Sequence, residues 1–347
     1  MSSMTPMVLI LTEREDPHAD VVETKLKRRG AEVYRFDYRE FPQAAALSIK
    51  YTGRKKEIRL GCGDRQIDLS RCTSGWLRRP GKPIVDEVQQ RLLHAYAEEE
   101  CFQVLLDTWN TLDTAWLPGP IWAIRRADCK QLQLELAAAL GFEIPPTLIT
   151  SDPDEFLDFY RQHGGQLIDK TPSVVLAASQ RTGMELMRFT QPVTTRDVGY
   201  ARRLRYSPML FQPRVPKRFE LRITVVGEEV LAAEIHSQAT HRTKLDWRHY
   251  DWGHTPYRPH ALPAEVREQC LRLVAQLGLR YGAIDMIVTP DDRYVFLEIN
   301  PNGQWLWVEQ QAGLPISDAI CEALIRPSRP SAPPWALPGC AQQERIP

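Results

Sequence analysis

The chain has no surplus charge of either sign: 44 basic and 44 acidic side chains give a formal net charge of zero. This removes any overall electrostatic reason to expect nucleic acid or an anionic membrane as the main partner, and favours small, neutral or peptidic substrates. Long hydrophobic runs are missing too. The N-terminal stretch MSSMTPMVLILTERED meets charges too soon for a signal-peptide core or a membrane span, so it reads as a first buried strand. The seven cysteines are odd in number and include no CxxC pair, which excludes a zinc ribbon and argues against a disulfide framework; a reduced, cytoplasmic setting is expected.

What is present is a 347-residue chain of ordinary apolar and charged content, enough for two or three domains. Met7 to Leu11, His18 to Gly30 and Glu32 to Phe36 read as strand, helix and strand, the start of a parallel sheet. Strand patterns follow at Leu47 to Tyr51, Glu57 to Leu60, Arg65 to Ile67 and Ser74 to Leu77, and a helical pattern runs from Val85 to Leu106. Pro118, Gly119 and Pro120 then break the chain. The expected division is 1–118, 119–207 and 208–326, with a disordered Pro-rich tail over 327–347. Ala127 to Leu140 and Asp154 to His163 read as helices, the second closed by Gly164 and Gly165, where a C-cap turn is a better reading than a phosphate loop. A succession of strands follows over Gln166 to Asp169, Met184 to Thr190, Pro208 to Gln212, Leu221 to Val226 and Val230 to Ile235. A helix over Pro263 to Gly278, strands over Gly282 to Val288 and Tyr294 to Ile299, and a helix over Ile316 to Ile325 complete the α/β and α+β pattern.

The chemistry concentrates in FLEINPNGQW (296–305), preceded by the strand GAIDMIV (282–288). Glu298 and Asn300, two apart on a strand, leave the same face, and a neighbouring strand can bring Asp285 beside them. Oxygen donors without histidine or cysteine suit Mg²⁺, which binds through a few protein oxygens plus substrate phosphates. Spacing alone leaves open that the three simply face solvent. Arg222, two residues from Glu220, shares its strand face, and its planar fork suits a transferring phosphoryl group; a surface ion pair is the alternative. The histidines between His236 and His260 match no zinc spacing. Trp247 and Trp252 read as core residues.

Asp285 followed by Glu298, Ile299 and Asn300 resembles the metal-binding signature of the ATP-grasp superfamily. The resemblance implies an ATP-grasp fold behind an N-terminal pre-ATP-grasp α/β domain, with ATP and Mg²⁺ as cofactors. It implies catalytic and metal-binding roles for Asp285, Glu298 and Asn300, and a catalytic role for Arg222. Lys130, in RRADCKQLQLELAAALG, and Lys170, in QLIDKTP, resemble the paired lysines that hold ATP phosphates. MLFQPRV resembles the adenine hinge, with Gln212, Arg214 and Val215 at the base and Glu220 at the ribose, although Pro213 removes one backbone donor. Many amino-acid ligases of the superfamily carry Arg where this chain has Ala283. Over nearly its whole length to about residue 326 the chain is similar instead to the graspetide maturases of the microviridin and plesiocin type. The motifs SGWLRRP (74–80), RRADCKQLQLELAAALGFEIPPTLITSDP (125–153), FQPRVPKRFELRITVVG (211–227), KLDWRHYD (244–251) and EINPNGQWLWVEQQAGLPI (298–316) carry that similarity.

The implied activity joins Asp or Glu side-chain carboxylates of a ribosomal precursor peptide to Thr or Ser hydroxyls or Lys amines, forming macrocycles, with a leader recognised separately and a homodimeric enzyme. A carboxylate-rich peptide needs fixed cations, so Arg248 and Asp246, with Arg242 and Ser237, are the expected substrate residues. A mixed anhydride must be kept from water, and Thr171 to Thr182 is the expected lid. The alternative is a ligase for free amino acids or for a protein tail.

Overall fold

The computed structural model describes residues 6–63, 65–86, 88, 90–170, 177–178, 185–186, 190–249, 251 and 253–327. Most of the expected lid, the tail beyond Pro327 and Trp252 lie outside these. In chain order the strands and helices are β1 (Met7–Thr12), α1 (Pro17–Arg28), β2 (Glu32–Phe36), β3 (Ala45–Thr52), β4 (Lys55–Cys62), β5 (Arg65–Asp68), β6 (Ser74–Arg79), α2 (Arg91–Thr111), β7 (Ala115–Leu117) and α3 (Ile121–Ala127). They continue with α4 (Lys130–Ala139), β8 (Leu148–Thr150), α5 (Pro153–Gln162), β9 (Leu167–Lys170), β10 (Ala177–Ala178), β11 (Glu185–Leu186), β12 (Gln191–Pro192), α6 (Thr195–Gly199) and β13 (Met209–Pro213). The last are β14 (Phe219–Val226), β15 (Glu229–Ile235), β16 (Tyr257–His260), α7 (Ala264–Gln276), β17 (Tyr281–Val288), β18 (Tyr294–Asn300), α8 (Leu306–Ala312) and α9 (Ile316–Ile325).

The chain forms two compact units, both assembled from separate stretches: 1–125 with 274–281 and 316–347, and 126–273 with 282–315. In the first, β2, β1, β6 and β7 make a parallel sheet, with Met7 opposite Glu32 and Val8 opposite Ser74. The six residues of β1 are all buried, as expected of a parallel strand covered on both faces. α1 begins where the Asp16 side chain accepts the His18 N–H at 3.0 Å and Pro17 supplies a preset φ. It ends where Gly30 takes φ +80°, a conformation that costs a side-chain-bearing residue dearly. Ala19, Val22 and Leu26 form its buried face. A second, antiparallel sheet, β3-β4-β5, packs with Phe36, Tyr38, Trp109 and Trp116 in one core.

The second unit contains the sheet β12-β9-β13-β8, the sheet β16-β15-β14-β17-β18 and the short pair β10-β11. β14 and β17 are buried along their whole length in the middle of the larger sheet, and β18 is its edge. An edge strand exposes backbone donors and acceptors that must be covered. Here the buried Gln133 amide of α4 covers them: Nε2 donates to the Ile299 carbonyl at 2.9 Å and to the Ala127 carbonyl at 2.5 Å, while Oε1 accepts the Ile299 N–H at 3.1 Å. The Phe296 N–H is taken by the Glu143 carbonyl at 2.8 Å.

Where the sequence predicts one helix over Ala127 to Leu140, the structure has α3 and α4 with a break at Asp128 and Cys129, so that Lys130 opens a helix of its own. The helix expected from Val85 begins at Arg91. Among the described residues no helix is long and apolar enough to cross a membrane.

Candidate active site

The hairpin β17-β18 sets the centre of the site. Asp285 and Glu298 are direct cross-strand partners, and Asn300, opposite Ala283, follows Glu298 on the same face. A buried carboxylate in the apolar run of β17 survives only if it is paired. Arg222, from the adjacent β14, supplies that partner: its Nη1 donates to Asp285 Oδ1 and Oδ2 at 3.0 and 2.8 Å. Its Nη2 donates to the Gln304 carbonyl at 3.1 Å, and the guanidinium carbon lies 5.8 Å from the Trp247 ring centre. Glu298 in turn accepts from Lys130 Nζ at 2.6 Å, so the first residue of α4 reaches the edge strand that Gln133 anchors.

Electrostatics follow this pairing. Burial acts to raise the Glu298 pKa, yet Lys130 and Lys170 hold it at about 2. Burial and the facing Glu298 push Asp285 upward against the pull of Arg222. The Lys170 ammonium, at the end of β9, is pushed down by burial, with Glu298 opposing and the neighbouring Arg248 and Lys130 adding to the shift. Lys130, Lys170, Arg222 and Arg248 therefore stand among three acids, Asp285, Glu298 and Asp246, leaving an excess of one positive charge to meet a polyphosphate.

A cavity in this unit is lined by Lys130, Lys170, Arg248, Asp285, Glu298 and Asn300 at one side, and by Gln212, Arg214, Val215 and Glu220 at the other. Gln212, on β13, donates through Nε2 to Thr147 Oγ1 at 3.0 Å, while its buried Oε1 has no hydrogen-bond partner. Glu220 accepts from Lys217 Nζ at 2.7 Å through Oε1; burial pushes its pKa up, against Lys217 and a side-chain hydrogen bond from the buried Ser237. An orphaned acceptor at Gln212 beside the Glu220 carboxyl is what hydroxyl and amino donors of a nucleoside would satisfy. The Arg214 N–H is already given to the Gln166 carbonyl at 2.8 Å.

Asp246 and Arg248 line the same cavity as a mutual pair. Arg248 Nε donates to Oδ1 at 2.9 Å and Nη2 to Oδ2 at 2.5 Å, and Thr190 N–H donates to the same carboxylate at 3.3 Å. Burial acts to raise the Asp246 pKa, but these bonds hold it below the usual range. Ser237 is fully buried and Arg242 is exposed; neither lines the cavity. Trp247, between Asp246 and Arg248, packs on Trp307 of α8 with ring centres 4.9 Å apart, and this fastens the 246–248 segment to α8. The motif reading did not anticipate Gln133, Lys217, Thr190 or Trp307. Only the helix ending at Gly313 (φ +68°) left a sequence signal for the last.

The oxygen-only set of Asp285, Glu298 and Asn300 fits Mg²⁺, and two carboxylates with one amide leave the remaining coordination to water and phosphate. Among the described residues no group of three or more His, Cys, Asp or Glu converges as a metal cage. His236 and His260 instead each share a hydrogen bond with Glu234, both at 2.8 Å.

Comparison with known proteins places the chain in a family. The model of the MvdD pre-ATP grasp domain matches residues 7–125. Macrocyclase MdnC of Microcystis aeruginosa MRC, solved bound with precursor peptide MdnA, is 31% identical and superposes with a TM-score of 0.82, covering 93% of this chain and 100% of that one. A RiPP-associated ATP-grasp ligase of Chryseobacterium gregarium, solved with ADP and a leader and core peptide, is 32% identical with a TM-score of 0.84, covering 92% and 96%. A probable alpha-L-glutamate ligase of Xanthomonas oryzae pv. oryzae (strain MAFF 311018) is 29% identical over 220 residues, 62% of this chain and 71% of its own length. The chain is an ATP-grasp ligase and belongs to the family of graspetide maturases, the ATP-grasp peptide macrocyclases.

Proposed function

We propose that the protein spends ATP to activate Asp or Glu side chains of a ribosomally made precursor peptide and joins them to Thr or Ser hydroxyls or Lys amines, closing macrocycles. The observation that carries this is the registered pair Asp285 and Glu298, with Asn300 beside them and Lys130, Lys170, Arg222 and Arg248 around them. ATP is the phosphoryl donor. Gln212 offers its unpartnered Oε1 and Glu220 its carboxyl to the nucleoside, and Lys130 and Lys170 bind its phosphates. Asp285, Glu298 and Asn300 would hold Mg²⁺, whose charge when bound offsets that of the polyphosphate. Arg222 steadies the charge that develops as a substrate carboxylate attacks the γ-phosphorus and ADP departs. Arg248, oriented by Asp246, holds the carboxylate in line. The acyl phosphate so formed then yields to the hydroxyl or amine, and phosphate leaves.

The relatives solved with a precursor or with a leader and core peptide support a peptide partner; a leader and a core rich in acids and in Thr, Ser or Lys are part of the proposal. A homodimer working in the cytoplasm is part of the same proposal. The curated glutamate ligases favour a second reading, addition of a free amino acid or extension of a protein tail.

The test is mass spectrometry of an acidic, Thr-containing candidate precursor after incubation with enzyme, ATP and Mg²⁺. Loss of one water per bond, absent with Glu298→Gln, is the expected result. An unchanged peptide, with ADP release stimulated by free glutamate instead, would transfer the assignment to the second reading.

A further inference from the structure

Arg222 is held in a slot whose other wall has no side chain. The turn after β18 runs so close to β14 and β17 that a Cβ placed on Gly303 would lie 2.6 Å from Arg222 Nη2 and would overlap the Cβ of Ala283. Its φ is not in the left-handed region, so the demand for glycine at 303 comes from space and not from backbone conformation. The next residue, Gln304, lends its carbonyl to Arg222 Nη2 at 3.1 Å. Asp285 occupies the other edge of the guanidinium, and Trp247 lies across its face. Ala283 is fully buried on β17, two residues before Asp285. Its small side chain is what lets the turn come in.

We infer that Gly303 is a positioning residue: by leaving its side of the slot empty beside Ala283, it lets the Gln304 carbonyl fix the plane of the Arg222 guanidinium before substrate arrives. The inference rests on the reading of Arg222 as the residue that meets the γ-phosphate. A long arginine loses much rotamer freedom when it engages a ligand, and a guanidinium already clamped on three sides loses less. The benefit appears only where the γ-phosphate is present.

The experiment compares MgATP and MgADP affinities by titration calorimetry for the wild type, Gly303→Ala, Arg222→Ala and the double variant. Clamping predicts that Gly303→Ala lowers the preference for ATP over ADP by roughly tenfold, the worth of one charge-assisted hydrogen bond. Arg222→Ala should do the same, and the double variant should be no worse than Arg222→Ala alone. Should Gly303→Ala fold poorly, Ala283→Gly in the same chain removes the Cβ overlap and leaves the Arg222 overlap, so the loss of preference should persist. A wild-type preference in Gly303→Ala, or additive losses in the double variant, would overturn the inference while the site reading stands. An unchanged preference in Arg222→Ala would overturn the site reading and the inference with it.

Discussion

Replacing Gln133 by Met keeps the volume of a side chain that is 1% exposed and removes every hydrogen bond it makes. Three backbone groups lose their partner: the Ile299 carbonyl, the Ile299 N–H and the Ala127 carbonyl. A buried polar group left unsatisfied costs about 1–3 kcal/mol, and some relaxation is available to the Ala127 carbonyl next to the helix break, so the expected loss is about 3–5 kcal/mol. That is a large share of the stability of an ordinary domain. Urea unfolding should report the loss as a lower midpoint at unchanged slope. Because β18 is an edge strand, its outward N–H at Ile299 should also lose protection from hydrogen exchange, by roughly a hundredfold for about 3 kcal/mol of local opening. Turnover should fall with it, since Lys130 and Glu298 sit on the two elements the amide joins. If Gln133→Met keeps its midpoint and Ile299 keeps its protection, the claim that one side chain seals the catalytic edge is wrong.

Glu298→Gln, which leaves the strand intact but removes a charge held by two lysines, should reduce turnover by about a hundredfold or more in a steady-state ADP-release assay. Near-normal turnover would dismiss its proposed role. Lys217→Met strands the buried Glu220 carboxyl and should cost about 3 kcal/mol in thermal unfolding, most of it recovered in Lys217→Met/Glu220→Gln. For His18, burial first and then Arg78 lower the folded pKa from 6.5 to about 4. The unfolded chain binds the proton more readily, so this contribution is fully present above pH 6.5 and is lost as pH falls towards 4, about 3 kcal/mol in all. His18→Gln should flatten the melting-temperature profile in that window, and an unaltered profile would refute it.

The first β-α-β unit was legible in the sequence because each of its signals is local: an apolar run, Asp16 and Pro17 at the helix start, Gly30 past its end. Ile316 to Ile325 was legible for the same reason. The break between α3 and α4 was not, since neither Gly nor Pro marks it; packing against β18 decides where Lys130 stands, and tertiary contacts override a continuous helical pattern. The two-residue spacing of Glu298 and Asn300 placed them on one face, but the cations that pair with the acids of the site come from distant positions: Arg222 lies 63 residues from Asp285, and Lys130 168 from Glu298. Such pairings have no local signature, and the order of motifs, not their spacing, carried them. Gln133 looks in the sequence like any good helix former. Its role exists only because a strand edge lies opposite.

The turn between β17 and β18 decides more than its exposure suggests. Asp292 there takes φ +63°, and Thr289 closes the turn by accepting the Asp292 N–H at 3.0 Å while its own N–H reaches the Arg293 carbonyl at 3.0 Å. This short crossing sets the register as far as Met286 opposite Phe296, and a one-residue shift at Leu297 then brings Glu298 opposite Asp285. A one-residue slip of β18 beyond that point would move Glu298 and Asn300 off the face that Asp285 shares. The length of this turn and the single extra residue at Leu297 are therefore constrained together, and natural or engineered variation should enter the turn by substitution.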